Sequence, residues 1–364
     1  MNPPSSKWRT LCYPAAAILT GLALAQTIAT IQVYLSNRSL YHTLTAIHKA
    51  GYPTVPSQPT MGRLQELTTA LCGGLFLTLS VGAGICLLSF SATWLWDRVC
   101  LRKTVFLGLM LLMWMGLSAG VNWRGFSPFT TLYFVVIPPV VFSGTLKWMP
   151  RGNRKQPRRN GLLHIIPIMV LGVLWAPQMK GDLFTNIRDH LLLSNPLGEK
   201  IANFYYRYTL YPAEVLKPLD RKLLKTCTLE AIPESPYKSE LRKNLSAHDW
   251  IETENLEDVD LVLTFSGSEL LLDDGSGTVL KTPKKDFLVH PAAHLKRFSS
   301  AADRHGFFRQ FTFYSLLMGF PVTLYIFSYS LVFLILGRWI EPGIASMASA
   351  CLCFSAGLLM LMPL

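Results

Sequence analysis

The sequence predicts an α-helical polytopic membrane protein with about seven transmembrane helices and a small inserted extracytoplasmic α+β domain. Three observations carry that prediction. Half of the 364 residues are apolar and only 15% are charged, against about 25% charged in an ordinary soluble domain. The apolar residues gather in runs close to the ~20 needed to cross a bilayer. The charge is unevenly shared: residues 180–310 hold 18 Lys and Arg against 19 Asp and Glu, while the rest of the chain holds 16 basic residues and 3 acidic ones.

The expected spans, in order, are Leu11–Leu35, Leu67–Trp96, Thr104–Val121, Phe129–Leu146, Leu162–Met179, Phe311–Leu336 and Ile344–Leu364. The first has a rival reading as a cleaved signal peptide, because Lys7 and Arg9 precede an apolar run that reaches "ALA" at Ala23–Ala25. Against that, "TIATIQVYL" continues the run past the cleavage point, which favours an uncleaved anchor. "IPPVV" at Ile137–Val141 predicts a kink in the fourth span, since each proline removes a backbone donor and crowds the preceding turn. Pro167 and Pro177 interrupt the fifth. The chain thereby divides into a five-helix region (1–179), the inserted domain (180–310) and a two-helix region (311–364).

Short loops carry the orientation, because Lys and Arg resist translocation. With the N-terminus in the cytoplasm, the cytoplasmic segments 1–10, 97–103, 147–161 and 337–343 hold twelve basic residues, and the short opposite loops 36–66 and 122–128 hold four. That bias predicts an inner (plasma) membrane protein with residues 180–310 outside the cytoplasm. Cys227 is the one cysteine of that domain, so an internal disulfide is excluded and the domain must be held by its core.

Within 180–310, "DLFTNIRDHLLL" (Asp182–Leu193) has helical spacing, and Glu199–Thr226 reads as a second helix bent or broken at Pro212 and Pro218. It carries Phe204, Tyr205, Tyr206, Tyr208 and Tyr211, spread around the helix. Packing within the domain, a place at the membrane surface, and ligand stacking all remain open for these rings. A polar helix near Ser239–Ser246 comes next. Then "WIET", "DLVLTF", "ELLLD" and "TVLKT" alternate between turn residues, the pattern of a β-meander over about 250–282. "HPAAHLKRFSSAADRHGFFRQ" reads as a helix feeding the sixth span.

Chemical motifs are scarce. His290 and His294 lie four apart, on one face of a helix, as two zinc ligands would. They are weak metal candidates: no Glu follows His290 as an HExxH site requires, and a solvated helix start is the favoured reading. "DDGSG" (Asp273–Gly277) fails the calcium loop: its sixth position is Thr278 and its twelfth Lys284. Its aspartates and glycines suit a tight turn. "FSGSE" and "GSGTV" lack the lysine of a phosphate loop, and "SGSE" is no nucleophile elbow, so Ser266 and Ser268 gain no catalytic reading. No catalytic residue and no cofactor is expected. His164, near the start of the fifth span, reads as a capping or snorkelling residue.

The first outer loop has one carboxylate, Glu66, which argues against lipid-linked sugar transfer. The span interiors hold essentially no Asp, Glu, Lys or Arg, which disfavours ion-coupled transport. "GLSAG" places Gly116 and Gly120 four apart, so that helix backbones can approach, within the chain or with a partner subunit. Arg154, Lys155, Arg158 and Arg159 form a basic loop that sets topology and suits anionic headgroups. The bilayer is the expected partner, with membrane subunits as further ones. Nucleic acid is not expected, since the soluble domain is nearly neutral.

"LLLSNPLGEKIANFYYRYTLYPAEVLKPL" (Leu191–Leu219) resembles a segment of uncharacterised bacterial multi-pass membrane proteins, some of which continue into helical repeats. It covers under a tenth of the chain and carries no functional residues across. The chain stops at the end of an apolar span, an ending compatible with a truncated product or with a subunit completed by another chain. The expected role is a non-enzymatic scaffold, sensor or subunit of an envelope complex that uses the domain for recognition. The alternatives are a transporter or permease subunit and a metal-dependent membrane enzyme.

Overall fold

The computed structural model describes residues 5–49, 51–54, 61–98, 103–149, 162–178, 194–209, 212–253, 259–275 and 279–361. The expected helix at Asp182–Leu193 lies outside them. Among the described residues six helices are long and apolar enough to cross a membrane. The first, α1, runs unbroken from Ser5 to Lys49, about 68 Å at 1.5 Å per residue, far more than the ~30 Å of a bilayer core. Its last turns continue beyond the bundle. There Leu44 is buried with Met61 and Leu64, and Leu40, Tyr41 and Leu224 pack on that cluster.

The second span is continuous but not uniform. α2 (Leu67–Leu77) passes through one π turn, Thr78–Gly82, into α3 (Ala83–Arg98). The wide turn faces Gln26 of α1. The Thr78 hydroxyl donates to Gln26 Oε1 at 2.7 Å, and Gln26 Nε2 donates to the Leu71 carbonyl at 2.9 Å. Polar groups in an apolar interior need hydrogen-bond partners, and Thr78 and Gln26 serve each other. α4 (Lys103–Val121) and α5 (Pro128–Trp148) come next, α5 running on as one helix through Pro138 and Pro139. α6 (Leu162–Gln178) is shorter, at 17 residues. After the domain come α11 (Gly306–Leu336) and α12 (Pro342–Leu361). α1, α3, α5 and α11 form the centre of the bundle, with Ala25, Val33, Phe90, Phe134, Ile137 and Ile326 in its core. Small residues allow the close crossings: a Cβ on Gly84 would stand 2.8 Å from the Thr312 carbonyl oxygen.

The inserted domain begins with α7 (Pro196–Thr209). Two short 3-10 turns at Pro212–Leu216 and Leu219–Arg221 come next. The predicted break at the prolines is present, but the chain then enters a strand, β1 (Lys225–Thr228), instead of resuming a helix. Then come α8 (Pro236–Ala247), β2 (Trp250–Glu252), β3 (Leu261–Ser266), β4 (Glu269–Asp273), β5 (Val279–Pro283), α9 (Lys284–Val289) and α10 (Pro291–Ala302). The sheet order is β2-β1-β3-β4-β5. β1 lies parallel to both β2 and β3, and β3-β4-β5 are antiparallel. The four-strand meander is therefore corrected: only its last three strands form one. The chain enters the sheet with β1, an interior strand one in from the β2 edge, and α8 provides the crossover that a parallel β1-β2 pair requires.

α8, α9 and α10 cover one sheet face. Leu261, Leu263, Leu270 and Leu272 point into that layer against Leu241, Leu245, Phe287 and Phe298. Each fully buried leucine contributes roughly 1.5–3 kcal/mol. The opposite face carries Val262, Thr264, Leu271 and Lys281, half-buried or exposed. In the "DDGSG" turn the Gly275 N–H donates to Asp273 Oδ1 at 2.7 Å, and Gly275 has φ +75°. That is a local turn of the kind Asp and Gly favour.

Candidate functional site

The domain meets the membrane helices at a seam built mainly by arginines. α10 stops at Ala302 because Asp303 is extended, with φ −73° and ψ 94°. Three residues later α11 begins. Asp303 governs that junction: its Oδ1 accepts the His305 N–H at 3.2 Å, and Arg309 grips both carboxylate oxygens at 2.9 and 2.6 Å. Arg309 also donates to the Leu216 carbonyl at 2.7 Å, tying the start of the domain to the start of α11. From the α4–α5 loop, Arg124 donates to the Ser300 and Asp303 carbonyls at 2.9 and 3.3 Å. A cation there meets the carbonyls at the negative end of α10. The Asp220 N–H donates to Ser299 Oγ, whose hydroxyl returns a bond to Asp220 Oδ1. Arg304 pairs with Asp274 at 3.3 Å.

Between these groups lies an open cavity of about 760 Å³. Gly120, Trp123 and Phe307 form its apolar part, and Arg124, Arg221, Arg304, Arg309, Asp220 and Asp303 its charged part. Burial opposes ionisation of Asp303, but the Arg309 hydrogen bonds and charge together outweigh it and hold the carboxyl below the usual range. Burial, then the Arg309 charge, holds His305 below the ordinary imidazole range. The cavity presents fixed positive donors, one bidentate ion pair and an aromatic edge. Such a set has the donors that suit an anion.

The structure places the two candidate histidines in different surroundings. His294 is buried, its Nδ1 3.1 Å from Thr282 Oγ1 and its Nε2 3.0 Å from Asp286 Oδ2. His290 stands between α9 and α10, where its backbone N–H closes α9 on the Asp286 carbonyl at 2.9 Å. The residue is exposed. Among the described residues no group of three His, Cys, Asp or Glu could hold a metal.

Of the other predicted residues, Tyr208 packs against Phe204 with ring centroids 4.9 Å apart, and the Arg207 guanidinium lies 5.4 Å from its ring. The backbone of α7 rests on the second span, since a Cβ on Gly73 would meet the Tyr208 carbonyl at 2.9 Å. Leu197, Ile201 and Phe204 remain exposed along α7. The backbone at Tyr205 and Tyr206 is helical, and their side chains lie outside the described residues, as do Arg154, Lys155, Arg158 and Arg159 altogether. A Cβ on Gly116 would meet nothing within 4 Å, whereas one on Gly120 would stand 3.1 Å from the Phe307 ring. Among the described residues the pair therefore does not form one close-packed stripe.

His164 departs from the expectation of a capping or snorkelling residue. It is buried, 3.2 Å from the Tyr325 hydroxyl, with the Trp94 and Tyr329 rings edge-on to it. Sequence reasoning also missed the four arginines of the seam, which are scattered over the chain. One signal was present: Arg124 is the sole basic residue of the 122–128 loop, on the side where topology disfavours one. The comparisons with known proteins return no match, neither a family model, nor a curated protein, nor a solved structure.

Proposed function

We propose that the chain is a non-enzymatic scaffold, sensor or subunit of an envelope complex in a bacterial inner membrane, with its inserted domain outside the cytoplasm as the recognition surface. The observation that carries this reading is the seam. Arg124 and Arg309 join the domain to the ends of membrane helices through hydrogen bonds and an ion pair, so an event at the domain is transmitted to the bundle and not lost in a linker. The half-open sheet face with Val262, Thr264 and Leu271 leaves room for a partner.

The contacts also support seven crossings. The domain touches the C-terminal end of α1 through Leu224, the α4–α5 loop through Ser300, and the N-terminal end of α11 through Leu216. All three ends belong to one side of an antiparallel bundle. α5 starts on that side and ends at Trp148 on the other. The chain must return before it builds the domain, and α6 is the apolar helix available between. Its 17 residues span about 26 Å, just under the ~30 Å core. On this reading α7, with Leu197, Ile201 and Phe204 exposed on a helix that rests on α2, lies in the membrane interface.

A transporter subunit is the second reading, favoured by the π turn opposite Gln26, because such turns concentrate at functional sites. One experiment separates the two. The intact protein is purified with whatever accompanies it, and turnover and flux are measured with and without that companion. A stable companion without turnover or flux supports the recognition reading. Turnover of a lipid-linked substrate by the lone protein would sink it, and companion-dependent flux in liposomes would favour transport.

A further inference from the structure

The charges of the seam cavity do not cancel. Arg309 is answered by Asp303 and Arg304 by Asp274. Arg124 bonds neutral carbonyls. Arg221 is exposed, and no carboxylate lies within ion-pair distance of it among the described residues. Asp220 is the remaining acid, and one of its oxygens is engaged by Ser299. Four arginines against three aspartates leave one positive charge over, presented by the guanidinium groups of Arg124 and Arg221.

The apolar side of the cavity has a definite place in the fold. Trp123 and Phe307 stand at the end of α4 and the start of α11, and Trp123 is 86% exposed. Aromatic rings at the ends of membrane-spanning helices belong to the headgroup level. A guanidinium fork matches the oxygens of a phosphate, and a pocket of this volume falls in the usual range for small ligands. Anion donors and an apolar rim at one depth describe the two halves of an anionic amphiphile.

We propose that this cavity seats the phosphate ester of an anionic glycerophospholipid headgroup, with Arg124 and Arg221 donating to the phosphate and Trp123 and Phe307 against the first acyl carbons. The proposal rests on the recognition reading, in which the seam lies at the membrane surface. Lipid bound there would bridge the α4–α5 loop, the start of α11 and the domain.

The test is native mass spectrometry of the full-length protein from micelles of phosphatidylcholine with phosphatidylglycerol, together with titration by a short-chain fluorescent phosphatidylglycerol. Wild-type protein is expected to retain phosphatidylglycerol in preference to phosphatidylcholine. Arg221→Gln, which breaks no ion pair of the described fold, is expected to bind it about tenfold more weakly, the effect of losing one charge-assisted contact. Lys243→Gln removes the same charge from an exposed site on α8 and is expected to change nothing. Arg124→Gln should weaken binding as well, with thermal melting to separate that from loss of the α10 cap. Equal retention of both lipids, or equal effects of Arg221→Gln and Lys243→Gln, would overturn the proposal. Soluble glycerol 1-phosphate that displaces the lipid supports it; glycerol 1-phosphate that binds where phosphatidylglycerol does not would overturn the lipid as the source. A companion protein that stays bound to a chain unable to retain phosphatidylglycerol would remove this inference alone, and lipid binding by an enzyme that turns over substrate would remove the recognition reading alone.

Discussion

Gly84 is defined by the side chain it lacks. A Cβ there would meet the Thr312 carbonyl oxygen at 2.8 Å and the Leu316 N at 3.2 Å, backbone atoms of α11 that cannot turn aside. Gly84→Ala is therefore expected to destabilise the purified protein by about 1–3 kcal/mol, the usual cost of overpacking. Gly116→Ala, at a position with nothing within 4 Å, is expected not to lower the melting temperature, since alanine is the better helix former; thermal unfolding in detergent compares the two. The contrast shows the limit of residue spacing. The glycines of the second span and the Gly116–Gly120 pair look alike in the sequence, and only the path of the neighbouring helix separates them. The seam has a pH signature at the same scale. The folded pKa of His305 is depressed, first by burial and then by Arg309, so the neutral ring favours the folded state. Its contribution is fully present above the ordinary imidazole pKa of 6.5 and is lost as pH falls through the folded value. Asp303 is also depressed, so its contribution is lost only in the carboxylate range below. Two acid steps are expected in melting temperature against pH, and His305→Gln should remove the upper one while leaving the lower.

At the level of elements, the part of the sheet that the sequence did not show is the interior strand between β2 and β3. β1 is four residues, "KTCT", after two prolines and a basic stretch, too short for alternation to register. The three antiparallel strands were legible because Gly267 and the "DDGSG" turn punctuate apolar runs. A parallel partner supplied from across α8 leaves no such mark. Strand order gives Cys227 a testable property. It is fully buried on the strand between β2 and β3, and burial, with the nearby charges of Glu252 and Asp260 adding to it, pushes its thiol up to about 12. In protein whose other cysteines are replaced by alanine, Cys227 is expected to resist maleimide at pH 8 and to react within minutes in denaturant, since the thiolate is the nucleophile. Rapid labelling of the folded protein would place Cys227 on an edge and contradict the sheet order. The helices show the same division. The apolar runs announced the bundle, but α1 runs on to Lys49 because Leu40 and Leu44 find Met61, Leu64 and Leu224, partners that no local pattern reveals.

For the molecule as a whole, membrane character was plain from composition, while the site was not, because its arginines come from separated segments joined only by folding. Crossing number links the two scales. If α6 crosses, the domain and the basic 147–161 segment face opposite compartments; if α6 only lies against the bundle, both face the same one. The three contact points of the domain with α1, the α4–α5 loop and α11 favour the first arrangement, since α5 carries the chain away from that side. The twelve-to-four bias of basic residues favours the same arrangement by a separate physical cause, the resistance of Lys and Arg to translocation. A phosphatase reporter that is active only outside the cytoplasm is therefore expected to be active when fused at residue 270 and inactive at residue 155, with the reverse pattern for a reporter that works only in the cytoplasm. Activity of one reporter at both positions would mean that α6 does not cross. The cavity would then face the same compartment as the basic 147–161 segment, and the proposed outer position of the recognition surface would fail with it.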